Sequence, residues 1–376
     1  MRKSAATQRS RLNLAIVFCF AFIAACSACT TGTYTQLSSL GGTAPTSITG
    51  HTLNGYSGNN KLYVFGGTDN SYSTTPTYYN KLSSFDTTTQ TWSTLSTSGG
   101  PSPRAYHGAA ISTYGGTPTL LVSGGYYSVS GGRSLYKELW SWNINSGGWT
   151  QLANAPKSAQ SPGFVYYNGY AYSFGGLYDL RNYYSNALTA YNVATNTWTT
   201  LTAQGAAGSP SSRMNPHMFV SGGNIYVHGG NKMLPGPVPN LPVPLSDTWM
   251  YNLTSNTWTN ITPSSGNNML PPSAYPSYGA SGNTVVLFGG DTGAAVNGIT
   301  GCGAPYPQQV SDDTWIGTIS GSTVTYAQQT PGASPPPSTQ GAGTTIGNCF
   351  YKLGGFDFPS CPPGQVWNNE VYTYGF

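Results

Sequence analysis

The stretch Leu62-Tyr63-Val64-Phe65-Gly66-Gly67 decides the reading of the chain, because it recurs. A short β-like run ending in a glycine pair returns as LLVSGG at Gly124-Gly125, AYSFGG at Gly175-Gly176, IYVHGG at Gly229-Gly230, VVLFGG at Gly289-Gly290 and FYKLGG at Gly354-Gly355. The intervals are 58, 51, 54, 59 and 65 residues, the scale of one supersecondary unit in a repeat protein. Other pairs, such as Gly41-Gly42 and Gly222-Gly223, follow no such pattern and read as turns.

A second element keeps the same period. In four repeats an aromatic is followed seven residues later by Trp: Phe85 and Trp92, Trp142 and Trp149, Tyr191 and Trp198, Tyr251 and Trp258. Turn formers fill the gap, so the spacing predicts two antiparallel strands joined by a tight turn. Each repeat then reads as four strands. Strand a is a run such as HGAAI, strand b ends in Gly-Gly, strand c carries the aromatic and strand d the Trp. A residue without Cβ lets strands and rings approach closely. Four-stranded units that cannot bury both faces alone stack around an axis.

The Gly-Gly, aromatic and Trp pattern resembles the kelch motif and covers almost the whole chain after its leader. The resemblance implies an all-β, six-bladed propeller of four-stranded antiparallel blades. The expected blades are 48–98, 104–153, 160–202, 213–262, 274–329 and 338–376. Two repeats depart from the motif. In the fifth, Trp315 lies in strand c and Tyr326 stands where Trp is expected; the sixth ends at Phe376 with no strand d. Tyr34-Thr35-Gln36-Leu37 matches Trp149-Thr150-Gln151-Leu152, so residues 33–38 are expected to complete the sixth blade and close the ring.

Charged residues are 6% of the chain against about 25% in typical soluble proteins. The net charge of +4 comes from Arg2, Lys3, Arg9 and Arg11, since from Thr30 onward ten Lys and Arg balance ten Asp and Glu. A near-neutral domain gives no electrostatic case for nucleic acid. The four basic residues precede an uncharged, largely apolar run, Leu12 to Ala25, which reads as a secretory signal peptide over 1–25 followed by a short linker, 26–32. Ile23-Ala24-Ala25-Cys26 resembles a bacterial lipobox with Cys26 as the acylated residue; cleavage after Ala28 is the alternative. The expected location is secreted or extracytoplasmic, with a lipid anchor open.

Cys29, Cys302, Cys349 and Cys361 remain in a compartment that permits disulfides. Four cysteines allow three complete pairings; Cys302 with Cys361 is favoured and Cys349 with Cys361 also looks reachable. Some kelch-like propellers are copper oxidases, but His51, His107, His217 and His228 are spaced around the ring and read as structural, so no metal or other cofactor is expected. Other kelch-like propellers are sugar mutarotases, and Asp291 with Arg213 imitates their acid and Arg. No Gly-x-Ser-x-Gly, phosphate loop or His-Glu-x-x-His occurs, and no residue is assigned as catalytic.

Binding is the favoured function. In a four-stranded blade the b–c and d–a loops emerge on one side. That side collects Arg104, Tyr126, Tyr127, Arg133, Tyr178, Arg181, Arg213, Asn231, Asp291, Phe356 and Trp367. Tyr, Arg and Asn combine rigid apolar area with hydrogen-bonding tips. The expected molecule is a monomeric, non-enzymatic module for a protein or glycan partner; a sugar-active enzyme and a structural surface protein are the alternatives. The proline-rich run Met233–Leu245 either arches over the axis or is a surface excursion. Asn252 and Asn260 head glycan acceptor sequons.

Overall fold

The computed structural model describes residues 29–46, 49–69, 75–129, 132–180, 183–233, 242–263, 270–292, 310–357 and 366–376. The leader, Cys26, Arg181, Cys302, Cys361 and the middle of the proline-rich run lie outside them.

The repeats fold as read. Blade 1 consists of β2 (Thr52–Tyr56), β3 (Lys61–Phe65), β4 (Leu82–Asp86) and β5 (Thr91–Leu95), paired in that order. Five four-stranded sheets repeat this a–b–c–d order, and the sixth joins Ala342–Ile346, Cys349–Leu353 and Val371–Gly375 to the N-terminal strand β1 (Tyr34–Leu37). Tyr34 lies opposite Tyr374 and Leu37 opposite Val371, so the ring closes through the two ends of the chain. Apart from one 3-10 turn, Tyr114–Gly116, the described secondary structure is all β.

The aromatic and Trp of each predicted pair face each other across strands c and d, with ring centroids 5.0 Å apart for Phe85 and Trp92 and 5.4 Å for Trp142 and Trp149. Tyr34 and Tyr374 repeat the contact at 4.8 Å in the closing blade. Blade 5 solves its missing pair differently. Gly317 stands opposite Tyr326, and a Cβ at Gly317 would lie 2.7 Å from the Tyr326 ring. Tyr326 therefore lies over the glycine and is fully buried. Neighbouring blades are stitched in pairs by the outer aromatic: Trp149 of blade 2 packs 5.2 Å from Phe65 of blade 1, Trp258 of blade 4 5.3 Å from Phe174 of blade 3, and Tyr34 of blade 6 5.4 Å from Phe288 of blade 5.

Gly66 shows why the pair must be glycine. Its φ is +67° and a Cβ there would sit 2.6 Å from the Arg104 carbonyl oxygen and 2.8 Å from the His107 ring, so any side chain would be strained and would push blade 2 away.

One covalent link was hidden in the sequence. Cys29 is bonded to Cys349, which excludes the pairing of Cys349 with Cys361 and leaves Cys302 and Cys361 as the remaining partners of the favoured scheme.

Candidate binding face

Every strand b runs toward its glycine pair, so the b–c and d–a loops share one end of the ring. Four of the six b–c loops fold back as two-stranded ribbons: Tyr126–Val129 with Gly132–Leu135, Leu177–Asp179 with Tyr183–Tyr184, Asn231–Met233 with Pro242–Pro244, and Phe356–Asp357 with Val366–Trp367. Single bridges, Thr68 to Tyr78 and Asp291 to Val310, hold the other two. Backbone pairing thus fixes the described residues at the base of these loops.

Among the described residues, blades 1 and 2 bring together the densest aromatic group on this face. Tyr78 donates a hydrogen bond to the Tyr126 hydroxyl at 2.8 Å, with the rings edge to face at 5.5 Å, and its ring lies 5.0 Å from Tyr127. The exposed Arg133 guanidinium stands 5.5 Å from the Tyr126 ring, a cation–π distance. Burial, then the bond to Tyr126, push the Tyr78 phenol above its ordinary range, so it stays protonated. Blade 3 adds a second platform. Tyr178 and Tyr183 stack at 6.4 Å and the Lys157 ammonium sits 4.5 Å from the Tyr178 ring.

Around the axis runs a ring of residues that the sequence reading missed. Gly50, Tyr106, Ser161, Asn215, Tyr275 and Gln340 occupy the same place before strand a of each blade, and all six have φ between +54° and +62°. Their backbones are chained: Tyr106 N–H donates to Gly50 O at 2.6 Å, Ser161 to Tyr106 at 2.7 Å, Asn215 to Ser161 at 2.8 Å and Gln340 to Tyr275 at 3.0 Å. Tyr106 crosses over Gly50, where a Cβ would meet its ring at 3.0 Å, and donates to Gln340 Oε1 at 2.5 Å. Beneath this ring an axial cavity of about 460 Å³ is lined by the inner strands of all six blades. The only signal in sequence was position, two residues before the start of each strand a; nothing in residue type marks a left-handed backbone at Tyr or Gln.

Arg104 and Arg213 require correction. Both are fully buried and tie loops together beneath the face. Arg104 donates to Ser102 O and Gly124 O at 3.0 Å each and to Glu138 Oε2 at 2.6 Å; Arg213 repeats this with Ser211 O, Gly229 O and both oxygens of Asp247. Trp140 and Trp249 donate their indole N–H to the same carboxylates. Burial alone would raise these carboxyls, yet the hydrogen bonds and positive charge of their arginines hold both below the usual range. Arg213 therefore spends its donors on its own blade, which removes the arginine of the mutarotase-like pair. Asn231 is also buried, accepting from Asn215 at 3.0 Å, and Phe356 is buried against Trp367 at 5.0 Å. Asp291 and Trp367 are partly exposed on the face.

The four histidines are buried. His107 packs beside Gly66 of the preceding blade and His217 beside Gly229 of its own, and burial pushes His51 down to about 3 and His228 to about 4, so the rings of these two are neutral. Among the described residues no three His, Cys, Asp or Glu gather as a metal site.

The sequence matches the KLHDC2/KLHL20/DRC7 Kelch-repeats domain over residues 24–230 and 119–290. It is also similar to multiple epidermal growth factor-like domains protein 8, being 26% identical to the mouse protein over 200 residues, 51% of this chain. Identity to the human protein is 27% over 176 residues, 44% of this chain. The matched stretches span only 7% of the mouse relative and 6% of the human one.

Proposed function

The chain belongs to the kelch-repeat propeller family, and from that premise we propose that it is a non-enzymatic, extracytoplasmic binding module that holds a protein partner on the face of the b–c and d–a loops. Kelch propellers are typically protein-binding modules. The observation that carries the reading is the cluster of Tyr78, Tyr126, Tyr127 and Arg133 beside the axial ring of Tyr106 and Gln340. Aromatic rings with polar tips and an arginine, held on paired backbone, lose little entropy on binding, which is the make-up of an interface hot spot. The buried arginine clamps supply rigidity and the exposed residues supply contact.

The test is a screen of the folded protein against extracellular proteins and, in parallel, a glycan array, followed by Tyr126→Ala, Arg133→Ala and Tyr183→Ala. A protein ligand whose affinity falls at least tenfold in Tyr126→Ala and Arg133→Ala supports the reading. A ligand indifferent to all three substitutions, or one found only among glycans, overturns it.

A further inference from the structure

The charges of the domain are segregated to one end. Of the twenty charged residues after Thr30, only Lys61 and Asp86 stand at the a–b and c–d turns, and these two face each other across β3 and β4. The others belong to the b–c and d–a loops or to the strand residues that adjoin them. Apart from Lys61 and Asp86, the opposite end is built from Ser, Thr, Asn, Gly and Tyr turns. It also holds three of the exposed large aromatics: Tyr114, 47% exposed, in the a–b turn of blade 2, and Tyr167 and Tyr170, 37% and 39% exposed, in that of blade 3. Tyr114 lies beside Gly169, so the group is contiguous.

The chain enters the fold at this same end. Cys29 is bonded to Cys349, the first residue of its strand, while Gly32 N–H donates to Gly375 O at 2.9 Å and Gly375 N–H to Thr30 O at 3.1 Å. The apolar run Leu12 to Ala25 and then Cys26 precede this staple. From Cys26 to Cys29 the chain can span only about 10 Å.

We propose that this turn face, whose only charged side chains are the facing Lys61 and Asp86, lies against a lipid bilayer, which turns the charged loop face away from the membrane. A lipid anchor on Cys26 is held by the disulfide within about 10 Å of this face, a tether too short to let the domain turn over. The tyrosines sit on blades 2 and 3, across the ring from the staple on blade 6, so staple and rings together seat the face flat. Tyr carries an apolar body and a wet tip, which suits the headgroup layer. Seating the other face would strip water from many charges. This orientation goes beyond the binding reading and does not depend on it.

Hydroxyl-radical footprinting of the full chain on phosphatidylcholine vesicles tests it, because Tyr183 on the loop face is 51% exposed and serves as an internal control for Tyr114 at 47%. The expected result is at least fivefold lower reactivity of Tyr114, Tyr167 and Tyr170 than of Tyr183. Equal reactivity of Tyr114 and Tyr183, protection of Tyr183 instead, or failure to associate with the vesicles overturns the proposal. Protection that fades on dilution at constant lipid also overturns it, by assigning the face to a second copy of the chain.

Discussion

Arg213 and Asp247 form a two-pronged ion pair, Nη1 to Oδ1 and Nη2 to Oδ2 both at 2.7 Å, with the guanidinium wholly out of solvent. The pair joins the end of a d–a loop to the start of strand c, and Arg104 with Glu138 makes the equivalent joint two blades earlier. Arg213→Ala leaves a carboxylate without its partner and should cost about 3 kcal/mol. Arg213→Lys should recover little, because an ammonium cannot fork onto both oxygens. Urea unfolding of the three proteins checks this.

Removal of residues 1–40 deletes β1 and opens the sixth blade. Tyr34 is buried there against Phe288 and accepts a hydrogen bond from Thr314 at 3.2 Å, so the loss exposes both a sheet edge and blade 5. Aggregation or a markedly lower melting temperature is expected by light scattering and calorimetry; a stable monomer with unchanged melting would refute closure. Cys29→Ser alone should destabilise by about 2–5 kcal/mol, since the bond closes nearly the whole chain.

Lys352 is fully buried, its Nζ donating to Gly354 O at 3.0 Å between the Phe288 and Tyr372 rings. Burial pushes its pKa down to about 7 from the ordinary 10.5. Between those values the unfolded chain holds a proton that the folded one releases, so stability rises with pH across that window. Lys352→Met should flatten that rise and stabilise the protein at neutral pH by on the order of 2 kcal/mol. Melting temperatures at pH 7 to 10 give the comparison.

His228 acts at the other end of the scale. Burial, and secondarily Arg213, push it down to about 4 from 6.5, although Asp247 pulls upward. The unfolded chain takes up this proton first, so the stability tied to a neutral His228 is complete above about pH 6.5 and is lost as pH falls toward 4. His228→Gln should shrink the loss between pH 6.5 and 4, read from unfolding midpoints.

Cys302 and Cys361 are proposed as the second disulfide, the pairing left by Cys29 and Cys349. Non-reducing peptide mapping should recover a peptide joining them. Free thiols at both positions would refute it.

Blade count, strand order and ring closure were legible because each rests on local signals. A glycine pair after an apolar run and an aromatic seven residues before a Trp report strand ends and cross-strand partners. The short sixth repeat and Tyr34-Thr35-Gln36-Leu37 reported the closing strand by simple subtraction. Even the irregular fifth blade was marked by Tyr326, although Gly317 beneath it was not.

The sequence by itself determined that this chain is a six-bladed propeller whose post-glycine loops share a face, since repetition fixes topology without coordinates. Only the tertiary structure decided which residues of that face meet solvent. Arg104 and Arg213 end loops on the same face as exposed Arg133, but carboxylates 34 residues onward draw the first two inside. The axial ring of Tyr106 and Gln340, the staple of Cys29 to Cys349 and the sparsely charged far face depend likewise on residues brought together from distant repeats. A side chain's burial is set by its neighbours in space, and a one-dimensional pattern records only its neighbours in the chain.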